Sequence, residues 1–191
     1  MLVKEIARQA KEEQVFLEVV MVTVSQTPNC ETIQPEVAEQ LGLSFRERSM
    51  FVRANALQQR LKQEKKILVI LDDIWEKLDL DEIGISFGDD QKECKILLAS
   101  RVRKALCDDM DVEKVFEVGS LSNDESTDLF LKIVGDLAKE ADFQSLATQI
   151  VEECGGLPNT ITKVAKELKN KNLYIWKDVL TQLQRSSRAQ V

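Results

Sequence analysis

The chain has 191 residues, of which 43% are hydrophobic, and it carries a formal net charge of −7. This composition excludes a disordered chain, and the length suits one domain, or one and a fraction, with a buried core. Histidine is absent, which excludes Ser-His-Asp and Cys-His catalysis. No apolar run approaches the roughly 20 residues that cross a bilayer, and the N-terminus does not resemble a signal peptide, so we expect a cytoplasmic protein.

Acidic residues are concentrated in the middle of the chain. Residues 66–130 contain 17 acidic and 8 basic side chains, a net charge of −9. A nucleic-acid-binding protein would show a basic stripe instead, so no nucleic-acid partner is expected. An acidic middle suits a site that works with a divalent cation, or simply a solvated surface. The cysteines are scattered without a CxxC pair, which predicts reduced structural thiols rather than a zinc site.

In chain order, the first part alternates helices with strands. Helical spacing of apolar residues predicts an amphipathic helix over residues 2–11. Apolar, β-branched runs predict strands at residues 19–24, 67–71, 95–99 and, more weakly, 114–118. Further helices are predicted over residues 32–41 and 46–64, between the first two of these strands. Strands that alternate with helices predict an α/β fold with a parallel sheet covered on both faces.

After about Ser120 the pattern changes to helices alone. Helical segments are predicted over residues 124–134, 143–154, 158–168 and 173–183. They indicate a small helical bundle appended to the sheet. We therefore predict two domains, residues 1–119 and residues 120–191.

Polar side chains follow two of the predicted strands. Asp72 and Asp73 come directly after the second strand, and Ser100 and Arg101 follow the third. Ligands of open parallel sheets bind beyond the carboxyl ends of the strands. Paired acids there can hold Mg²⁺ and orient water, and an arginine can bind phosphate oxygens. Solvated acids and a surface ion pair are the alternatives.

Three segments together resemble the NB-ARC domain of plant nucleotide-binding, leucine-rich-repeat disease-resistance proteins. They match that family in order and spacing: Ile67–Trp75 (ILVILDDIW), Lys95–Arg101 (KILLASR) and Cys154–Pro158 (CGGLP). Trp75 after the paired acids is similar to the coiled-coil class of these proteins. The resemblance implies a P-loop NTPase-like sheet over residues 1–119, followed by an ARC1-like helical subdomain over residues 120–191.

The resemblance also implies roles for individual residues. Asp72 would be the Walker B acid that serves Mg²⁺, and Asp73 the catalytic acid that positions water. Arg101 would face the terminal phosphate. The residues implied against adenine and ribose are Gly156, Leu157 and Pro158, although a turn between two helices would also account for them. The family is a switch that rests with ADP, is active with ATP, and signals in immunity through self-association or signalling partners.

The family's Walker A loop, Gly-x-x-x-x-Gly-Lys followed by Ser or Thr, is not found in these 191 residues. We expect the chain to begin just after that loop, so that the loop and the strand before it are missing from the sheet. Ala99 and Asn159 also depart from the family pattern. Since losing three charge-assisted hydrogen bonds of roughly 1.5–3 kcal/mol each would remove most of a micromolar affinity, we expect weak or no nucleotide binding. A protein-interaction module, and then an ATP hydrolase, are the alternatives.

Overall fold

The computed structural model describes residues 2–46, 49–87, 93–107, 110, 112, 114–135, 137 and 140–188. The chain divides into two compact units, residues 1–115 and residues 116–191. Each unit has a hydrophobic core of its own. None of the helices in the described ranges is long and apolar enough to cross a bilayer.

The first unit alternates helices and strands as predicted. Its elements are α1 (Leu2–Glu12), β1 (Glu18–Thr23), α2 (Cys30–Gln40), α3 (Met50–Lys62), β2 (Ile67–Ile74), α4 (Leu80–Ile83), β3 (Lys95–Ser100) and α5 (Arg103–Cys107). Helix α2 begins before the predicted Thr32 because the Asn29 side chain accepts a hydrogen bond from the Glu31 N–H and caps it earlier.

The three strands form one parallel sheet in the order β1-β2-β3, which confirms the predicted α/β fold. The central strand β2 is buried on both faces, and its alternate side chains enter different clusters. Ile67, Val69 and Leu71 pack into the large core with α2, α3, α4 and α5. Leu68 and Ile70 face the opposite way and pack with α1. Helices therefore cover the two faces unequally, because α1 is the one helix among the described residues that contributes to the second cluster.

The second unit is helical, as predicted. It contains α6 (Asn123–Val134), α7 (Ala141–Glu153), α8 (Pro158–Leu168) and α9 (Leu173–Arg188). Its core surrounds the fully buried Trp176, which meets Phe130 and Phe143 edge-on at centroid distances of 5.7 and 5.1 Å. The Trp176 indole N–H donates to the Leu168 carbonyl at 3.2 Å, which satisfies the only polar atom of the ring.

The prediction of a fourth strand at residues 114–118 is wrong. The segment has no regular secondary structure, and its apolar side chains Val115, Phe116 and Val118 are exposed. A strand needs a neighbour to receive its backbone hydrogen bonds, and none of the described strands pairs with this segment. The apolar pattern by itself could not reveal that a partner was lacking.

Candidate functional site

The candidate site lies where β2 and β3 end at the same edge of the sheet. The two strands run parallel, so the residues that close them are neighbours. The sequence placed Asp72 and Asp73 after β2, but both lie inside it, because the strand continues to Ile74. Ser100 closes β3, and Arg101 follows it as predicted.

The strand reaches Ile74 only through an irregularity at Asp73. Pairing with β3 shifts between Leu71 and Ile74, and Asp73 has a φ of 60°. This left-handed conformation is uncommon for a residue with a side chain, although aspartate tolerates it better than most. The shift interrupts the ladder and re-aims the side chain, as bulges near functional sites do.

Ser100 fixes the ends of the two strands together. Its hydroxyl donates to the Ile74 carbonyl and accepts a hydrogen bond from the Val102 N–H at 2.8 Å. Ile74 and Ser100 are also register partners in the sheet. Trp75 follows Ile74 and Arg101 follows Ser100, so Trp75 and Arg101 lie beside each other.

Arg101 makes an ion pair with Asp73. Its Nη2 and Nε donate to the Asp73 Oδ1 at 2.9 and 3.3 Å. The Arg101 hydrogen bond is the main cause that lowers the pKa of Asp73 below its ordinary value. The Arg101 side chain is 71% exposed, so solvent screens the pair and it adds little to folding stability.

The guanidinium of Arg101 also lies over the Trp75 ring, with its carbon 4.8 Å from the ring centroid. This is within the range of a cation–π interaction. The sequence interpretation used Trp75 only as a mark of protein class, and it gave no role to Ser100. The signal that could have identified both residues is their position at the ends of neighbouring parallel strands.

Asp72 is the residue that fits a metal role. It is half-buried, and its Oδ1 accepts a hydrogen bond from the Asp73 N–H at 3.0 Å. Mg²⁺ usually takes one or two protein carboxylates together with phosphate oxygens and water. Across the described part of the chain, no group of three or more Asp, Glu, Cys or His side chains could hold an ion by itself. Asp72 is thus the kind of single carboxylate that such a magnesium site takes from the protein.

The predicted adenine-side residues belong to the second unit, in the turn between α7 and α8. Gly155 and Gly156 have φ values of 59° and 70°, and Pro158 is the first residue of α8. The Gly156 carbonyl accepts a hydrogen bond from the Leu121 N–H at 2.9 Å. These features are those of a turn between two helices, and they account for the Gly-Gly-Leu-Pro sequence. Leu157 is 54% exposed and so presents apolar surface to solvent.

Comparisons with known proteins agree with these features. The family model of the NB-ARC domain matches residues 1–140. The disease resistance protein At4g27190 of Arabidopsis thaliana is 32% identical over 97% of this chain, which spans 19% of that protein. The disease resistance protein RFL1 of Arabidopsis thaliana is 31% identical over 80% of this chain, which spans 18% of that protein. The chain therefore spans about a fifth of the length of these relatives, and it belongs to the NB-ARC domain family, the nucleotide-binding switch module of plant disease-resistance proteins.

Proposed function

We propose that this chain contributes the Walker B and sensor side of an adenine-nucleotide switch that rests with ADP and is activated with ATP. The observation that carries the proposal is the convergence of Asp72, Asp73 and Arg101 at one edge of the parallel sheet, as phosphate chemistry requires. Membership of the NB-ARC family supports an adenine nucleotide as the ligand.

Each residue has a proposed part in the site. Asp72 would hold Mg²⁺, which neutralises phosphate charge when it is bound. Asp73 would orient a water molecule, and Arg101 would donate to the terminal phosphate through its planar fork. The residues proposed for adenine and ribose are Gly156, Leu157 and Pro158. The exposed Leu157 side chain supports apolar contact with a base.

We propose further that the 191 residues by themselves bind ADP or ATP more weakly than micromolar. They contain no Gly-x-x-x-x-Gly-Lys sequence, and this loop supplies backbone N–H groups and a lysine to the phosphates. Two acids and one arginine do not replace those donors, because a carboxylate repels phosphate unless a cation lies between them.

Fluorescent-ADP binding in the presence of Mg²⁺ tests the proposal. The 191-residue chain is compared with a chain extended upstream by a family-consensus strand and Walker A loop, each as wild type, Asp72→Ala, Arg101→Ala and Lys104→Ala. Lys104 is exposed and close to Arg101 in sequence, so its variant controls for the loss of one positive charge.

The extended chain is expected to bind ADP, and Asp72→Ala and Arg101→Ala are expected to weaken binding while Lys104→Ala does not. An extended chain that does not bind, or binds equally well without Arg101, contradicts the proposed site. Micromolar binding by the 191-residue chain contradicts the weakness proposed for it.

The role in immunity, the signalling or self-association partners and the cytoplasmic location are proposals for the whole protein. The relatives' description as disease-resistance proteins supports the first, and the free thiols of all four cysteines suit a reducing compartment. In a plant whose full-length protein carries Arg101→Ala, we expect pathogen-induced cell death to be lost. An unchanged response, or recovery of the tagged protein outside the cytosolic fraction, would count against these proposals.

A further inference from the structure

Two different groups hold the Arg101 guanidinium. Asp73 accepts hydrogen bonds from Nε and Nη2, which form one edge of the planar group. Trp75 covers a face of the same plane, with the guanidinium carbon 4.8 Å from its ring centroid. An edge contact and a face contact use separate parts of the guanidinium, so either one can be exchanged while the other persists.

Trp75 is less exposed than Arg101. Trp75 is half-buried, its indole nitrogen is buried without a hydrogen-bond partner among the described residues, and the residue before it, Ile74, is buried and hydrogen-bonded to Ser100. The Arg101 side chain is 71% exposed. The buried end of the strand therefore holds the indole ring at a fixed place beside Arg101, and the ring gives the exposed guanidinium a surface to stack on.

Asp73 resembles a phosphate in the chemistry that it offers to Arg101. A carboxylate and a phosphate both accept paired hydrogen bonds from the guanidinium edge. The same Nε and Nη2 donors cannot serve both acceptors fully at one time. A phosphate that reaches Arg101 must therefore compete with the Asp73 carboxylate.

We propose that Trp75 is the positioning residue of Arg101, and that Asp73 occupies the place of the ligand phosphate until a phosphate takes over the Nε and Nη2 donors and releases the carboxylate. This inference rests on the proposed function, because it takes Arg101 as the phosphate-binding residue. It adds an order of events, since Asp73 becomes free to orient water only when a phosphate has engaged Arg101.

The first arm of the test needs no ligand. In the ¹H–¹⁵N spectrum of the 191-residue chain, the two indole N–H signals are assigned with Trp75→Phe. Arg101→Gln is expected to move the Trp75 signal and leave the Trp176 signal in place. Lys104→Gln, which removes the same charge from a nearby exposed side chain, is expected to move neither. An unmoved Trp75 signal in Arg101→Gln overturns the stacked arrangement.

The second arm is a titration with inorganic triphosphate, followed through the Arg101 Nε–H signal. Asp73→Asn removes the competing charge and keeps a residue type that tolerates a positive φ, so the apparent affinity is expected to rise about twofold to fivefold. Trp75→Leu removes the aromatic face and is expected to lower the affinity by about the same factor. General destabilisation of the sheet would change both affinities in the same direction.

The outcomes separate the exchange from the proposed function. Opposite changes in Asp73→Asn and Trp75→Leu support the exchange. Binding that depends on Arg101 but is unaffected by either variant overturns the exchange and leaves the proposed function standing. An Arg101 signal that does not respond to triphosphate in the wild type or in Asp73→Asn overturns both, and Asp73→Asn that binds more weakly than the wild type overturns Asp73 as a competitor.

Discussion

At the scale of single residues, positive φ angles mark the positions where the backbone is most constrained. Asp73 takes such a conformation at the candidate site, and Gly155 and Gly156 take it in the turn before α8. The two glycines differ in their surroundings. A Cβ built on Gly156 would lie 2.5 Å from the Leu121 carbonyl oxygen, whereas one on Gly155 would meet nothing within 4 Å. Backbone contact therefore excludes a side chain at Gly156 and not at Gly155.

This difference predicts unequal costs for the same substitution. Gly155→Ala is expected to lower the free energy of unfolding of the second unit by about 1–2 kcal/mol, the cost of a left-handed alanine. Gly156→Ala introduces the same strain and also forces the new Cβ against the Leu121 carbonyl oxygen. It is therefore expected to lower the free energy of unfolding by clearly more, about 3 kcal/mol in all. Urea unfolding followed by Trp176 fluorescence, with Trp75→Phe in every chain, measures both variants. Equal losses of unfolding free energy in the two variants would show that the turn shifts to accommodate a Cβ at Gly156.

At the scale of elements, two glutamines of α2 join it to its neighbours in different ways. Gln34 is fully buried, and its Nε2 lies within hydrogen-bond distance of the carbonyls of Met50, Glu82 and Ile83, which belong to α3 and α4. The two N–H groups of the amide are shared among these three acceptors. The Gln40 amide is exposed and exchanges two hydrogen bonds of 2.9 Å with the backbone of Met21. Gln40 thereby occupies part of the outer edge of β1, where free N–H and C=O groups would otherwise invite another strand.

The contrast between the two glutamines gives a prediction for a matched pair of variants. Gln34→Leu leaves carbonyls of α3 and α4 without their donor, but it also removes the buried Gln34 Oε1, which has no partner among the described residues. It is therefore expected to lower the free energy of unfolding by about 1–3 kcal/mol. Gln40→Leu removes hydrogen bonds that water can replace, and it is expected to cost less than about 1 kcal/mol. Denaturant unfolding followed by Trp75 fluorescence, with Trp176→Phe in every chain, compares them. A larger loss of unfolding free energy in Gln40→Leu than in Gln34→Leu would contradict the role assigned to the buried Gln34.

The start of α6 makes stability depend on pH. Ser122 and Glu125 form a capping box, and hydrogen bonds from Ser122 lower the pKa of Glu125 below its ordinary value of 4.5. A lowered pKa in the folded chain means that the carboxylate stabilises the fold above pH 4.5 and that this contribution is lost as the pH falls through the lowered pKa.

Glu125→Ala is therefore expected to be less stable than the wild type at neutral pH and to approach it in acid. Thermal unfolding of the second unit between about pH 6 and pH 3 measures the difference. Asp124→Ala removes a charge from the same first turn without breaking the capping box, so it serves as the control. If both variants change with pH in the same way, the general field of the helix end, rather than the capping box, is responsible.

At the scale of the whole molecule, the two units have separate cores and one tryptophan each. Trp75 lies in residues 1–115 and Trp176 in residues 116–191. In the first unit α1 is the helix that covers the second face of the sheet, and β3 pairs with β2 alone among the described strands. Every described β3 side chain after Lys95 is only partly buried. The second unit instead surrounds Trp176 completely.

This difference predicts that the first unit of the 191-residue chain unfolds at the lower temperature. Trp176→Phe leaves Trp75 as the reporter of the first unit, and Trp75→Phe leaves Trp176 as the reporter of the second. The Trp75 signal is expected to change with a midpoint below about 60 °C and to be accompanied by aggregation, because none of the described strands pairs with the outer edge of β3. A single sharp transition above that temperature, shared by both reporters, would contradict the prediction.

The strands and most helices of this chain could be predicted from local patterns alone. The continuous run Ile67–Leu71 is long enough only for a buried strand, and Pro158 opens α8 because a proline is tolerated at the first turn of a helix. The same reasoning failed at residues 114–118, where an apolar pattern exists but no described strand pairs with it. Local sequence specifies a strand's preference, whereas its hydrogen-bond partner comes from elsewhere in the chain.

The sequence by itself determined the α/β class and the helical second unit, and it pointed to Asp72, Asp73 and Arg101 as candidate residues, because periodicity and residue type are local properties. Only the tertiary structure decided how those residues meet. The register of β2 against β3 places Trp75 beside Arg101, and the shift at Asp73 turns its carboxylate to the guanidinium. These contacts join residues 26 and 28 positions apart in the chain. Such pairings are set by how two strands align, which no pattern within either strand records.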